Sequence, residues 1–234
     1  SWPIEPGRLP AFVDAARLLN IRGCSITIPH KIDIIPLLDK TSENVREMGA
    51  CNTLYRDGEK ICGENTDVIG FTAPLRKRSL SPETRVLVLG AGGVSRAAIA
   101  GLRRLGLANI TLTNRRKERA EALCNEFGLL CAPWEERGDV PADLIINTTP
   151  LGMTGAQEHE TPYPRAFQDN GIAYDLIYTP FQTRFLRDAA AAGWETVSGL
   201  DMFIGQGDAQ FHLWTGHHLP EEAITAVTSA LYGQ

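Results

Sequence analysis

Arg85-Val86-Leu87-Val88-Leu89 runs without a break into Gly90-Ala91-Gly92-Gly93-Val94-Ser95-Arg96-Ala97-Ala98. The first five residues read as a short apolar strand buried on both faces, and residues 94–105 carry helical periodicity. A pyrophosphate group needs a tight strand-to-helix turn, close backbone approach and free amides at a helix N-terminus. Gly90, Gly92 and Gly93 supply these, and Ser95 stands as a small residue at the third glycine position. Glycines alone would also suit a turn that holds no ligand. The surroundings speak against that: residues 109–113 read as a second strand and 116–127 as a second helix, a βαβα run that builds a parallel sheet with right-handed crossovers.

The second strand ends in Thr113-Asn114-Arg115-Arg116-Lys117-Glu118-Arg119. Binders of NAD place an Asp or Glu here, roughly 20 residues past the glycines, to accept from the ribose 2′-hydroxyl. Guanidinium groups in its place hold a 2′-phosphate bidentately, so the cofactor expected is NADP. A solvated basic helix start is the plainer alternative. Further strands are expected at 143–148, 172–178 and 196–197, with helices at 184–192, 202–214 and 221–231. Residues 79–199 thus read as a Rossmann-type NADP-binding domain. The polar stretch 76–84, RKRSLSPET, marks its boundary.

Upstream, residues 8–19 form an amphipathic helical pattern and 23–28 a β-branched strand interrupted by Pro29. Short helices fit 34–38 and 42–48. Residues 52–55 and 60–62 read as a hairpin about Asp57-Gly58. The expectation is an α/β chain: a smaller substrate-binding and catalytic domain over 1–78, completed by C-terminal helices over 200–234, beside the Rossmann domain, with the active site in the cleft. Lys31, at the end of Ser25-Ile26-Thr27-Ile28-Pro29-His30-Lys31, is by itself an ordinary surface lysine. Gly49-Ala50-Cys51-Asn52-Thr53 and Gly63-Glu64-Asn65-Thr66-Asp67 are by themselves polar turns.

The chain has 234 residues, 43% of them hydrophobic, enough to bury a core without a metal or disulfide. Its formal charge of −5 argues against non-specific nucleic-acid binding. Five cysteines without CxxC spacing suggest neither a disulfide framework nor a zinc site, and are read as reduced and cytoplasmic. No apolar run approaches the ~20 residues of a membrane span. His30 lacks an identifiable carboxylate partner, His217-His218 reads as solvated, and Trp134 and Trp194 read as packing residues.

Taken in order, ITIPHK, GACNT, GENTDVIGF, GAGGVSRAA, NRRKER, NTTPLGM, YDLIYTPFQT and GLDMFIGQG resemble the shikimate dehydrogenase family over nearly the whole chain. The resemblance implies reversible, NADPH-dependent reduction of 3-dehydroshikimate to shikimate in aromatic (chorismate) biosynthesis. It places the catalytic pair at Lys31 and Asp67, and substrate contacts at Thr27, Asn52, Tyr178 and Gln206. It assigns Gly90, Ala91, Gly92, Gly93 and Val94 to the pyrophosphate loop, and Asn114, Arg115 and Arg119 to the ribose phosphate. Thr148, Thr149, Leu176, Gly199 and Met202 fall to the inner cofactor pocket, with Glu43 a weaker match. Chemically the pair is apt: an ammonium stabilises and protonates the alkoxide that forms as hydride reaches a carbonyl, and a carboxylate orients it. Which of the two transfers the proton is left open.

Two features depart from the family pattern. Arg116 stands where many members have threonine, adding a cation beside the 2′-phosphate. No Ser-x-Ser pair for the substrate carboxylate precedes Trp2, so the expectation is a missing N-terminal segment or a fused upstream domain; a homodimer is also open. The competing readings are a quinate/shikimate dehydrogenase paralogue, which would reuse Lys31 and Asp67, a folate-linked methylene dehydrogenase, and a non-catalytic dinucleotide-binding module.

Overall fold

The computed structural model describes residues 2–27 and 29–232. Helix α1 (Leu9–Leu18) turns Leu9, Val13 and Ala16 inward and leads to strand β1 (Gly23–Ser25). The strand is shorter than its β-branched sequence predicts. Ile26 still donates to the Asn52 carbonyl at 2.7 Å, after which the chain turns away; Ile28 lies outside the described residues. A single turn at Ile35–Leu37 precedes strand β2 (Lys40–Thr41) and helix α2 (Glu43–Met48), which is capped by Ser42 accepting from the Val45 amide. The hairpin comprises β3 (Thr53–Asp57) and β4 (Lys60–Glu64), with Gly58 at φ 59° in its turn. These strands form one sheet in the order β1-β3-β4-β2, its core built from Leu9, Val13, Ile34, Val45, Leu54 and Ile61.

Helix α3 (Asp67–Leu75) has no counterpart in the sequence reading. Its residues are buried on nearly every side, so it carries no amphipathic stripe, and Gly70 and Pro74 interrupt it. Gly70 is there because of close packing: a Cβ on it would lie 2.5 Å from the Met202 carbonyl oxygen on a neighbouring helix.

The second sheet is wholly parallel. It comprises β5 (Val86–Leu89), β6 (Ile110–Thr113), β7 (Leu130–Cys131), β8 (Leu144–Asn147), β9 (Ile172–Asp175) and β10 (Glu195–Val197), ordered β10-β9-β8-β5-β6-β7. Counted from β5, that is the doubly wound Rossmann order, and the chain reverses direction across the sheet between β5 and β8. Val86 and Val88 join the core on one face, and Leu87 and Leu89 the core on the other, which is why RVLVL reads as continuously apolar. The helices are α4 (Gly93–Arg104), α5 (Lys117–Phe127) and α6 (Arg184–Ala191). Helix α7 (Gly199–Thr215) starts three residues before the position expected, and α8 (Glu221–Tyr232) follows. From the edge of the parallel sheet α7 returns to the first sheet, where Gln210 bonds to Ser25 at 2.7 Å and the Trp214 indole donates to the Leu54 carbonyl at 2.9 Å. No helix among the described residues is long and apolar enough to cross a membrane.

Strand β9 stops at Asp175 rather than continuing to residue 178. The Asp175 carboxylate catches the Ile177 amide at 3.0 Å and turns the chain. Burial pushes this carboxyl up to about 7, outweighing its three hydrogen bonds. The folded chain therefore keeps this proton up to about pH 7, whereas an unfolded aspartate has released it above about pH 4. The protonated form's contribution to stability is complete below the unfolded value and is lost as pH rises through the folded one. Relative to Asp175→Asn, which does not titrate, the parent chain should lose about 4 kcal/mol across that window, as read by urea unfolding at a series of pH values. A pH-independent difference between the two would contradict the assignment.

Candidate active site

Lys31 follows β1 in a turn, and its backbone carbonyl is held by the Cys51 amide at 2.7 Å. Its ammonium reaches Asp67 Oδ2 at 2.9 Å. Asp67 is the first residue of α3, where unpaired helical amides favour a carboxylate. Its amide donates to Asn65 Oδ1 at 3.1 Å, and Oδ1 of Asp67 accepts from Asn52 Nδ2 at 2.8 Å. The Asn52 amide is in turn fixed: its Oδ1 accepts from the Thr66 amide at 2.8 Å and the Thr53 hydroxyl at 2.7 Å. Both Asp67 oxygens are thus engaged by donors, and Lys31 spends one N–H on the pair.

The pair opens on a cavity of about 400 Å³ between the two sheets, lined also by Thr27, Asn52, Val94, Leu176, Tyr178, Gly199, Met202 and Gln206. The Tyr178 ring stacks on Phe203 with centroids 5.0 Å apart. Four further lining residues, Ser25, Ile26, Phe203 and Gln210, escaped the sequence reading. A signal for Gln210 was present: it lies one helical turn beyond Gln206, on the same face of α7. Its side chain donates to Thr53 Oγ1 at 3.0 Å and accepts from Ser25 at 2.7 Å, tying α7 to β1 and to the start of β3, which Asn52 immediately precedes.

A second cavity of about 170 Å³ sits at the carboxyl end of β5, lined by Gly90, Ala91, Gly92, Asn114, Arg115, Arg119, Trp134, Thr148, Thr149, Pro150 and Leu151. The turn at 90–94 connects the two, since Val94 lines the first. Gly90 has φ 116°, and a Cβ there would lie 2.4 Å from Thr148 Oγ1. A Cβ on Gly92 or Gly93 would meet nothing within 4 Å, leaving their backbone open to a large anion. Ser95 is buried, accepting from the Gly92 amide at 3.0 Å and bonding to Thr148 at 2.7 Å, so it braces the turn from behind. Among the described residues Arg115, Arg116 and Arg119 have no carboxylate partner. An open glycine cradle beside unpaired guanidiniums fits a dinucleotide carrying an extra phosphate.

Several expected residues stand elsewhere. Gly93 begins α4 and lines neither cavity. Arg116 precedes α5 with its side chain exposed, and Glu43 is exposed at the start of α2; neither lines a cavity. Trp134, expected as packing, lines the second cavity, and the Arg137 guanidinium lies 3.9 Å over its ring. Trp194 is buried among aromatic rings. His30 bonds to the Ile4 carbonyl at 2.7 Å, and His218 bonds to Asp208 at 2.8 Å. No group of three or more His, Cys, Asp or Glu among the described residues could hold a metal ion.

Comparison with known proteins accords with this geometry. Residues 1–54 match the family profile described as the shikimate dehydrogenase substrate binding domain. Residues 75–136 match shikimate/quinate 5-dehydrogenase, and 199–227 the shikimate 5′-dehydrogenase C-terminal domain. The chain is 56% identical to the shikimate dehydrogenase (NADP(+)) of Pelobacter propionicus, over 98% of this chain and 84% of that protein. The chain belongs to the shikimate dehydrogenase family. Among solved structures of that family, the shikimate 5-dehydrogenase of Thermus thermophilus in complex with NADP(H) and shikimate is similar at TM-score 0.85 and 35% identity, covering 98% of this chain and 86% of that one. A ligand-free 5-ketofructose reductase from a Gluconobacter strain is similar at TM-score 0.89 and 29% identity, covering 99% and 86%. The shared fold therefore also serves a different ketone, and the substrate must be argued from the site.

Proposed function

We propose that this chain catalyses the reversible, NADPH-dependent reduction of 3-dehydroshikimate to shikimate, with Lys31 and Asp67 as the catalytic pair. The observation that carries this is the Lys31–Asp67 contact of 2.9 Å on the wall of a cavity that adjoins the glycine turn. NADPH, when bound, supplies the hydride. Gly90, Ala91 and Gly92 would hold its pyrophosphate, Arg115 and Arg119 its 2′-phosphate, and Leu176, Gly199 and Met202 would wall the space next to the substrate.

Lys31 is the proton donor in this reading. Asp67 has both oxygens occupied by donors and stays an orienting carboxylate, whereas Lys31 has N–H bonds left to direct at the carbonyl oxygen. As charge builds on that oxygen the ammonium stabilises it and then transfers a proton; in the oxidative direction the neutral amine takes the hydroxyl proton. Thr27, Asn52, Tyr178 and Gln206 offer hydrogen-bonding groups for the hydroxyls and carboxylate of a cyclohexene acid.

The test is loss of reduced-nicotinamide absorbance with 3-dehydroshikimate, compared with its gain on shikimate and on quinate, and with 5-ketofructose as an alternative ketone. Turnover with 3-dehydroshikimate and shikimate is expected. Turnover confined to quinate or 5-ketofructose would overturn the substrate assignment, and no turnover with any of them the enzymatic one.

A further inference from the structure

The parallel sheet holds a buried polar cluster that the reaction does not consume. Asp175 is fully buried and accepts three hydrogen bonds: from Thr183 Oγ1 at 2.6 Å onto Oδ2, and from Asn147 Nδ2 and the Ile177 amide, each at 3.0 Å, onto Oδ1. Asn147, equally buried, passes the connection on. Its Nδ2 also donates to the Leu151 carbonyl at 3.2 Å, and its Oδ1 accepts from both the Thr149 amide at 2.9 Å and the Thr149 hydroxyl at 2.7 Å. One carboxylate is thereby joined to two loops at the carboxyl edge of the sheet. Loop 147–152 carries Thr148, Thr149 and Leu151 into the cofactor-side cavity; loop 175–183 carries Leu176 and Tyr178 into the cavity of the catalytic pair.

At neutral pH the ionised carboxylate of this cluster is held against its desolvation. Among the described residues no cation pairs with Asp175, and its carboxyl is pushed up to about 7 by burial, so holding the ionised form costs the fold free energy at neutral pH. Every partner is a donor, an arrangement that suits the ionised acceptor. Buried ionisable groups with strongly shifted titration cluster where function requires a fixed geometry.

We propose that Asp175 is a positioning residue that locks the cofactor-facing loop 147–152 and the substrate-facing loop 175–183 into one arrangement, so that a single buried hub sets both subsites. The inference rests on the dehydrogenase reading for what the two cavities hold. The hub itself is defined by contacts that need no ligand.

Two substitutions separate the positioning role from a general structural one. Asp175→Asn keeps the Oδ1 acceptor for Asn147 and Ile177 and gives up only the acceptor for Thr183. Asp175→Ala leaves the Thr183 hydroxyl and the Ile177 amide without an acceptor and Asn147 Nδ2 with the Leu151 carbonyl alone. NADP+ affinity is read by calorimetry, KM for NADPH and 3-dehydroshikimate by steady-state kinetics, and loop opening by peptide-resolved hydrogen exchange. For Asp175→Ala, Kd for NADP+ and both KM values should rise together by about tenfold or more, with kcat changing less. For Asp175→Asn they should return to within about threefold of the parent chain. Exchange should quicken in 147–152 and 175–183 together, while the strands keep their protection.

A cooperatively folded Asp175→Ala protein with parental Kd and KM values would overturn the proposal. Should that variant not fold, Thr183→Val, which removes the Oδ2 donor and also the cap that Thr183 Oγ1 gives the Leu186 amide at 3.3 Å, takes its place: the lost cap acts at the start of α6, so quickened exchange that reaches 147–152 as well as 175–183 supports the hub, and quickened exchange in 175–183 alone overturns it. The calorimetry and exchange require no turnover. Failure of the parent chain to reduce 3-dehydroshikimate would therefore sink the functional reading and leave the test of Asp175 standing.

Discussion

Lys31→Ala is expected to lower kcat by about 10²–10⁴-fold, the usual range for removing a positioned general acid, while the substrate KM moves only a few-fold. The substitution takes away the group that both neutralises and protonates the developing alkoxide, an interaction strongest in the transition state and therefore visible in kcat. Lys31→Arg keeps a cation but cannot release a proton, so it should recover binding and little of the rate. Asp67→Asn injures the same unit differently. With its oxygen still facing Asn52, the new amide would point N–H groups at the Lys31 ammonium, replacing an attraction by a donor–donor clash. The double variant should therefore cost little more than Lys31→Ala alone. Additive losses, or losses confined to KM, would assign both residues to binding.

Charge reversal in the basic cluster should have the second-largest effect. Arg115 and Arg119 line the cofactor-side cavity and have no carboxylate partner among the described residues, so each can make a charge-assisted hydrogen bond of about 1.5–3 kcal/mol to a 2′-phosphate. Arg115→Glu or Arg119→Glu should then weaken NADP+ by at least about tenfold while sparing NAD, which brings no phosphate to repel. Arg116→Ala is the internal control. Its side chain is exposed and lines neither cavity, so NADP+ affinity should stay within about threefold. Paired titrations with the two cofactors decide this; equal affinities of the unsubstituted chain for both would remove the basis of the assignment.

These contrasts show what a sequence carries and what it hides. The parallel sheet was legible because its signals are local: Val86–Leu89 is apolar throughout, the glycines follow at once, and α5 has one wet face. Helix α3 was illegible because it is buried on nearly all sides and broken by Gly70, whose reason lies 132 residues away in Met202. The two-residue strands β2 and β7 are too short to show a period, and exist through their pairing with β4 and β6. In the same way Arg115 and Arg116 are adjacent and chemically alike, and only the backbone leaving β6 sends one toward the cavity. Trp134 looked like a core residue for want of any sign that the chain past β7 folds back over the glycine turn.

Helix α7 has a consequence for the order in which this molecule can assemble. The Trp214 indole closes on Leu54 across 160 residues of chain, and Gln210 on Ser25 across 185. During synthesis from the N-terminus the strands β1, β3 and β4 leave the ribosome early but must wait for the helix that covers them, while every strand of the parallel sheet has already emerged. Loop closure over such separations is slow relative to the nearer β5, β6 and β8 pairings. The parallel sheet is thus able to form first and serve as the platform from which α7 is delivered. The cleft becomes complete only in the last stage of folding, so a nascent chain arrested before residue 210 should hold a formed glycine turn but lack the strut that joins Ser25 and Thr53.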